Sequence, residues 1–117
     1  VKGKFKSKGK TISEKKKLIR DALSLEKSGV FGIVLECVYS DISKKITKLV
    51  KIPTIGIGAS VHCDGQVLVT DDILGLTNAK IKFVKKYTNI KQVINFAVSK
   101  FKREVKSGKY PSKKYSY

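Results

Sequence analysis

Glu36 follows directly on an unbroken apolar run, Val30-Phe31-Gly32-Ile33-Val34-Leu35. Such a run is the pattern of a strand buried on both faces, unlike the alternation of a strand that meets water on one side. A carboxylate immediately after it stands at the carboxyl edge of a parallel sheet, where open and closed α/β folds alike place their active sites. Partial desolvation there is expected to raise the pKa of Glu36 and suit it to general-base work near neutral pH. The competing structural reading is a glutamate that caps a loop or pairs with one of the many lysines. Strand-end placement favours the base.

Other residues offer weaker chemistry. Gly56-Ile57-Gly58 is a GxG, but a dinucleotide fingerprint needs a third glycine at position 61, which is Val, and a helix where the sequence has His62, Asp64 and Gly65. Glycines within a buried strand more simply mean close approach of a ligand or a neighbouring strand. His62-Cys63-Asp64 has metal-ligand types, yet three adjacent residues cannot all converge on one ion, so the stretch reads as a solvent-facing loop. Asp71 and Asp72 close a third apolar segment and suit helix capping better than substrate binding. Cys37 and Cys63 lack a CxxC partner and read as free thiols in a reducing compartment. No P-loop, nucleophile elbow or EF-hand pattern is present, and no residue is assigned to metal or substrate on spacing alone.

The elements that must position Glu36 can be read from periodicity. Residues 1–10 alternate Lys with Gly and Ser around Phe5 and suggest a mobile loop or linker, leaving residues 11–117 as the domain. A helix capped by Thr11 or Ser13 carries Ile12, Leu18, Ile19, Ala22, Leu23 and Leu25 and stops at Ser28-Gly29. After the strand ending on Glu36, residues 40–50 form an amphipathic helix with Ile42, Ile46, Leu49 and Val50 on one side. Pro53 opens a second strand over 54–59, and Gln66–Thr70 a third. Residues 81–87 suggest one or two helical turns, and Ile90–Val105 a long amphipathic helix that ends before Ser107-Gly108. Buried strands separated by helices imply parallel βαβ units, of a doubly wound sheet or of a closed barrel; periodicity does not choose between them.

The chain has 117 residues, against about 250 for a whole (β/α)8 barrel. Its first residue is Val, which suits a processed or truncated start, and the basic N-terminus lacks the apolar core of a secretory signal. No apolar run reaches the roughly 18 residues of a membrane span. A formal charge of +17 points on its own to nucleic acid. Among the 26 basic residues, however, only Arg20 and Arg103 are arginine, the side chain that groove and phosphate readers prefer. The lysines are dispersed and no nucleic-acid module is recognisable, so a solvated lysine-rich surface is the better reading. A non-catalytic basic nucleic-acid-binding α/β module is the alternative.

Several ordered segments resemble one family. Ile33-Val34-Leu35-Glu36-Cys37, the run from Ile52 to Ala59, Asp64-Gly65-Gln66-Val67-Leu68-Val69, Phe83-Val84-Lys85-Lys86-Tyr87 and the run from Glu104 to Pro111 together are similar to ketopantoate hydroxymethyltransferase. Phe5 to Lys10 looks like that family's active-site loop. The resemblance implies the C-terminal portion of a (β/α)8 TIM barrel, with the sixth, seventh and eighth strands, their flanking helices and a C-terminal helix. It implies that Glu36 removes the C3 proton of 3-methyl-2-oxobutanoate and that the enolate attacks the one-carbon unit of 5,10-methylenetetrahydrofolate, giving ketopantoate for coenzyme A synthesis. It implies Mg2+, whose ligands lie on earlier strands. Hence the expectation is a fragment or split half, inactive without an N-terminal half as partner, in a cytoplasmic enzyme whose relatives are typically decameric homo-oligomers.

Overall fold

The structure, a computed structural model, describes residues 5–78 and 80–117; the first four residues of the expected 1–10 loop lie outside the described residues. The chain divides into two compact units, Val1–Leu68 with Lys80–Val84, and Val69–Ala79 with Lys85–Tyr117.

In the first unit α1 (Ile12–Lys27) begins at a reciprocal capping box: the Glu14 N–H donates to Thr11 Oγ1 at 3.2 Å and the Thr11 N–H to Glu14 Oε2 at 3.3 Å. Two of the orphan donors at the helix start are thereby satisfied, which selects Thr11 over Ser13 as the cap. The helix stops at Ser28, and Gly29 takes the left-handed turn at φ 86°. Strand β1 (Ile33–Glu36) leads to α2 (Ser40–Leu49), then β2 (Thr54–Ile57) and a two-residue β3 (Gly65–Gln66). The three strands form one parallel sheet in the order β1-β2-β3, with Glu36 beside Ile57 and Gly56 beside Gln66. This is an α/β arrangement, as the alternation of apolar segments indicated.

Ile33 and Leu35 of β1 pack with Ala22 of α1, Ile42 and Ile46 of α2, Val38, Val50 and Cys63 in a single core. The expected burial of β1 on both faces is corrected. Its residues alternate, with Ile33 and Leu35 buried, Val34 63% exposed and Glu36 exposed. Helices cover one face of the sheet; on the other face β1 is open to solvent, so an apolar sequence run here records two apolar faces of which the chain itself covers one.

Two further expectations change. The third strand is shorter than Gln66–Thr70 because β2 ends at Ile57, so past the Val67 N–H to Gly56 carbonyl bond (3.0 Å) β2 offers no further ladder partner, and Thr70–Ile73 coils into the short helix α3. Residues 81–87 form turns and no helix. Residues 5–10 of the segment expected to be a loop contain no strand or helix, but are held at Lys8, which bridges to Val38 beside β1, and at buried Gly9, where an added Cβ would lie 2.9 Å from Ile42 Cγ2.

In the second unit α4 (Ile90–Lys106) is capped by Asn89, whose side chain accepts from the Gln92 N–H at 3.2 Å. None of its residues is buried. The tail folds back on it: Lys109 and Tyr110 N–H groups both donate to the Glu104 carbonyl, and the Tyr110 ring stands edge-on to Phe101 at 5.3 Å.

Candidate functional site

Glu36 is the last residue of β1 and projects from the face that the helices leave uncovered, beside Ile57 on β2. The partial desolvation expected of it is absent in this chain, since the carboxylate is exposed. Nor does it behave as a structural partner: among the described residues the ion pairs are Lys15 with Asp41 and Lys100 with Glu104, and neither involves Glu36. A strand-end carboxylate exposed in this way has the chemistry to accept a proton.

The backbone around it is tightly specified. Cys37, next in the chain, has φ 54°, a left-handed conformation that non-glycine residues rarely adopt. Its N–H donates to the Ile57 carbonyl at 3.0 Å, and its own carbonyl accepts from the Lys8 N–H at 2.8 Å. Burial first, and the charge of Glu36 second, push the Cys37 thiol up, so it is no ready nucleophile near neutral pH. Across from Cys37, β2 also leaves through a left-handed residue, Gly58 at φ 62°. The Phe83 ring lies against it, 2.5 Å from where a Cβ would stand, and Phe5 meets Phe83 edge-on at 5.7 Å between centroids. The carboxyl end of β2 thus carries an aromatic pair beside the Glu36 level.

The glycines of the GxG serve packing. At Gly56 an added Cβ would lie 2.8 Å from Gln66 Oε1 and 3.1 Å from Cys63 Sγ, so close approach of β3 and its connecting loop accounts for it. His62-Cys63-Asp64 does not converge. His62 is exposed, Cys63 is buried in the core rather than facing solvent, and Asp64 turns to Thr54. Its carboxylate accepts from the Thr54 N–H at 2.8 Å and from Thr54 Oγ1 at 3.0 Å, which holds it below the usual carboxylate range. Ser60, buried in the same connection, accepts from Ser40 Oγ at 3.1 Å and from the His62 N–H at 3.2 Å. Asp71 and Asp72 stand in the first turn of α3; Asp72 is buried and accepts from Thr77 Oγ1 at 2.5 Å, while the cap residue Val69 has no side-chain cap. Among the described residues no three His, Cys, Asp or Glu side chains come together as a metal site.

Sequence reasoning missed the Thr54–Asp64 tie and the turn at Cys37. A separation of ten positions hides the first, and Cys, unlike Asn or Gly, carries no left-handed preference that would have marked the second.

The profile of the family described as "Ketopantoate hydroxymethyltransferase" matches residues 1–113. A "3-methyl-2-oxobutanoate hydroxymethyltransferase" of Pelagibacter ubique is 62% identical over 113 residues, 97% of this chain and 44% of the relative. Proteins of the same description from Saccharolobus solfataricus and Saccharolobus islandicus are each 47% identical over 97% of this chain and 42% of their own length. The chain therefore spans less than half the length of the curated relatives it matches.

Proposed function

This chain belongs to the ketopantoate hydroxymethyltransferase family, and from that premise we propose that it supplies the last three strands and the general base of a (β/α)8 barrel that transfers a hydroxymethyl group to 3-methyl-2-oxobutanoate. The observation that carries this reading is the position of Glu36: an exposed carboxylate at the carboxyl end of a parallel strand, on the face that the chain's own helices do not cover. In a closed barrel that face is the interior, and its rim at the carboxyl ends is where barrel enzymes place their chemistry.

The Glu36 carboxylate takes the proton from C3 of 3-methyl-2-oxobutanoate. The C–H electron pair enters the C2–C3 bond and the carbonyl oxygen takes up the charge. Water breaks both C–N bonds of the methylene bridge of 5,10-methylenetetrahydrofolate, so that tetrahydrofolate leaves with a proton on each nitrogen and the one-carbon unit is freed as formaldehyde; the enolate carbon bonds to that carbon, its C=O pair moves to oxygen, and the alkoxide takes back the proton held by Glu36 to give the hydroxymethyl group. The described residues do not fit as holders of the Mg2+ that the family reading implies, because no three metal-ligating side chains among them converge. Its ligands are assigned to strands outside this chain. The aromatic pair Phe5–Phe83 lies against Gly58 at the carboxyl end of β2.

Val34, Ile55 and Ile57 lie on the uncovered face and Gly65 leaves room for the Ile55 side chain there. A partner that supplies the complementary strands would cover these residues and pair the free edge of β3. Assembly of whole barrels into a cytoplasmic homo-oligomer completes the proposal. Among the described residues no helix is long and apolar enough to cross a membrane.

The deciding experiment combines this chain with the complementary barrel strands and assays folate-dependent formation of ketopantoate. Activity that is lost in Glu36→Gln, with the complex still formed, is the expected result. A well-folded complex without activity, or one indifferent to Glu36→Gln, would refute the assignment.

A further inference from the structure

Resting on the reading of Glu36 as the base, we propose that Cys37 is a positioning residue, and that its left-handed backbone rather than its thiol aims the Glu36 carboxylate.

Along β1, Ile33 points to the core, Val34 away, Leu35 to the core and Glu36 away. Strict alternation would send Cys37 inward and Val38 outward. Instead Val38 is the buried residue and Cys37 only half-buried. The left-handed turn at Cys37 shifts the pattern by one, so that Glu36 stands between two core anchors, Leu35 and Val38, at the last regular position of the strand. Glu36 therefore cannot slide along the strand without pulling an apolar side chain out of the core.

Backbone in this region is disfavoured for any residue with a Cβ and persists where its surroundings over-determine it. Here they do. The turn is held from the β2 side by the Cys37 N–H on the Ile57 carbonyl at 3.0 Å, and from the N-terminal segment by Lys8 N–H on the Cys37 carbonyl at 2.8 Å and Tyr39 N–H on the Lys8 carbonyl at 2.9 Å. Lys8 is in turn tethered by Gly9, which fits against Ile42 and Leu18 without room for a side chain. At the same level of β2 the left-handed residue is a glycine, Gly58. The arrangement predicts an order among residues at position 37: glycine and asparagine enter the turn readily, alanine less so, and a β-branched residue resists it.

The test measures kcat and KM for 3-methyl-2-oxobutanoate in the complex of this chain with the complementary barrel strands, for Cys37→Val, Cys37→Ala, Cys37→Asn, Cys37→Gly and Glu36→Gln. Misaiming the base by Cys37→Val should lower kcat by about tenfold or more while KM stays within about twofold, and Cys37→Gly and Cys37→Asn should recover what Val loses. Should the Val protein fail to fold, the comparison of Gly and Asn with Ala still decides, with the first two expected at or above Ala in kcat. Parent kcat in Cys37→Val beside an inactive Glu36→Gln would overturn the positioning role alone. Loss in Ala, Gly and Asn alike would overturn it in favour of the thiol. Full activity in Glu36→Gln would overturn the base assignment and this inference together.

Discussion

Asp64 and Thr54 grip each other from both sides: the Asp64 carboxylate accepts from the Thr54 N–H and hydroxyl, and the Asp64 N–H points back to Thr54 Oγ1 at 3.3 Å. A second contact extends the tie, since Thr54 Oγ1 also meets Thr47 Oγ1 of α2 at 2.8 Å. One fully buried threonine thus joins the start of β2, the helix above it and the short connection that leads into β3. The strand that ends beside Glu36 is fixed at its far end by this tie.

Thr54→Val keeps the shape and removes the hydroxyl. The Asp64 N–H and the Thr47 hydroxyl then lose a partner, and stability to urea should fall by about 1–2 kcal/mol. An unchanged unfolding midpoint would mean that water replaces the hydroxyl at no cost.

The same tie carries a pH dependence. The hydrogen bonds from Thr54 place the Asp64 pKa in the folded chain below its ordinary value. A depressed folded pKa contributes stability that is fully present above the unfolded value, about 3.9, and is lost as pH falls through the folded one. Thermal midpoints of the parent and Asp64→Asn should therefore differ near pH 6 and converge as pH drops below about 3.9. A gap that persists into that acid range would show that the carboxylate charge is not what matters.

Two glycines with the same backbone sign separate conformation from space. Gly29 has φ 86° and nothing within 4 Å of an added Cβ, whereas Gly58 has φ 62° and the Phe83 ring at 2.5 Å. Gly29→Ala should cost about 1 kcal/mol from backbone strain, and Gly58→Ala roughly 2–4 kcal/mol because the ring must also move. Pairing Gly58→Ala with Phe83→Leu should recover part of the loss; equal costs at the two glycines would refute the steric account.

Ile46, 1% exposed, sits where α2 meets the sheet. Truncation by Ile46→Ala should lower stability by about 2–5 kcal/mol, read from denaturant unfolding. By contrast Glu36→Gln, at an exposed position with no ion pair among the described residues, should change stability by no more than about 0.5 kcal/mol, which makes it a clean probe of activity.

The sequence by itself determined the order of α1, β1, α2, β2, β3 and α4 and the position of Glu36, because both are local. Helix faces repeat within a few residues, Thr11 and Glu14 cap across three positions, and an apolar run ending in a carboxylate announces a strand end wherever it occurs. Its motifs also carried the family likeness that the comparisons bear out. What periodicity could not decide was which apolar residues would be covered. Val34 reads as apolar as Leu35, yet one is exposed and the other in the core, because burial depends on which face the chain's helices reach. The third strand shortened for a similar reason: a strand exists only as far as its neighbour offers hydrogen bonds. The left-handed turn at Cys37 and the Thr54–Asp64 tie were likewise decided only in three dimensions, since each depends on groups brought together from distant parts of the chain.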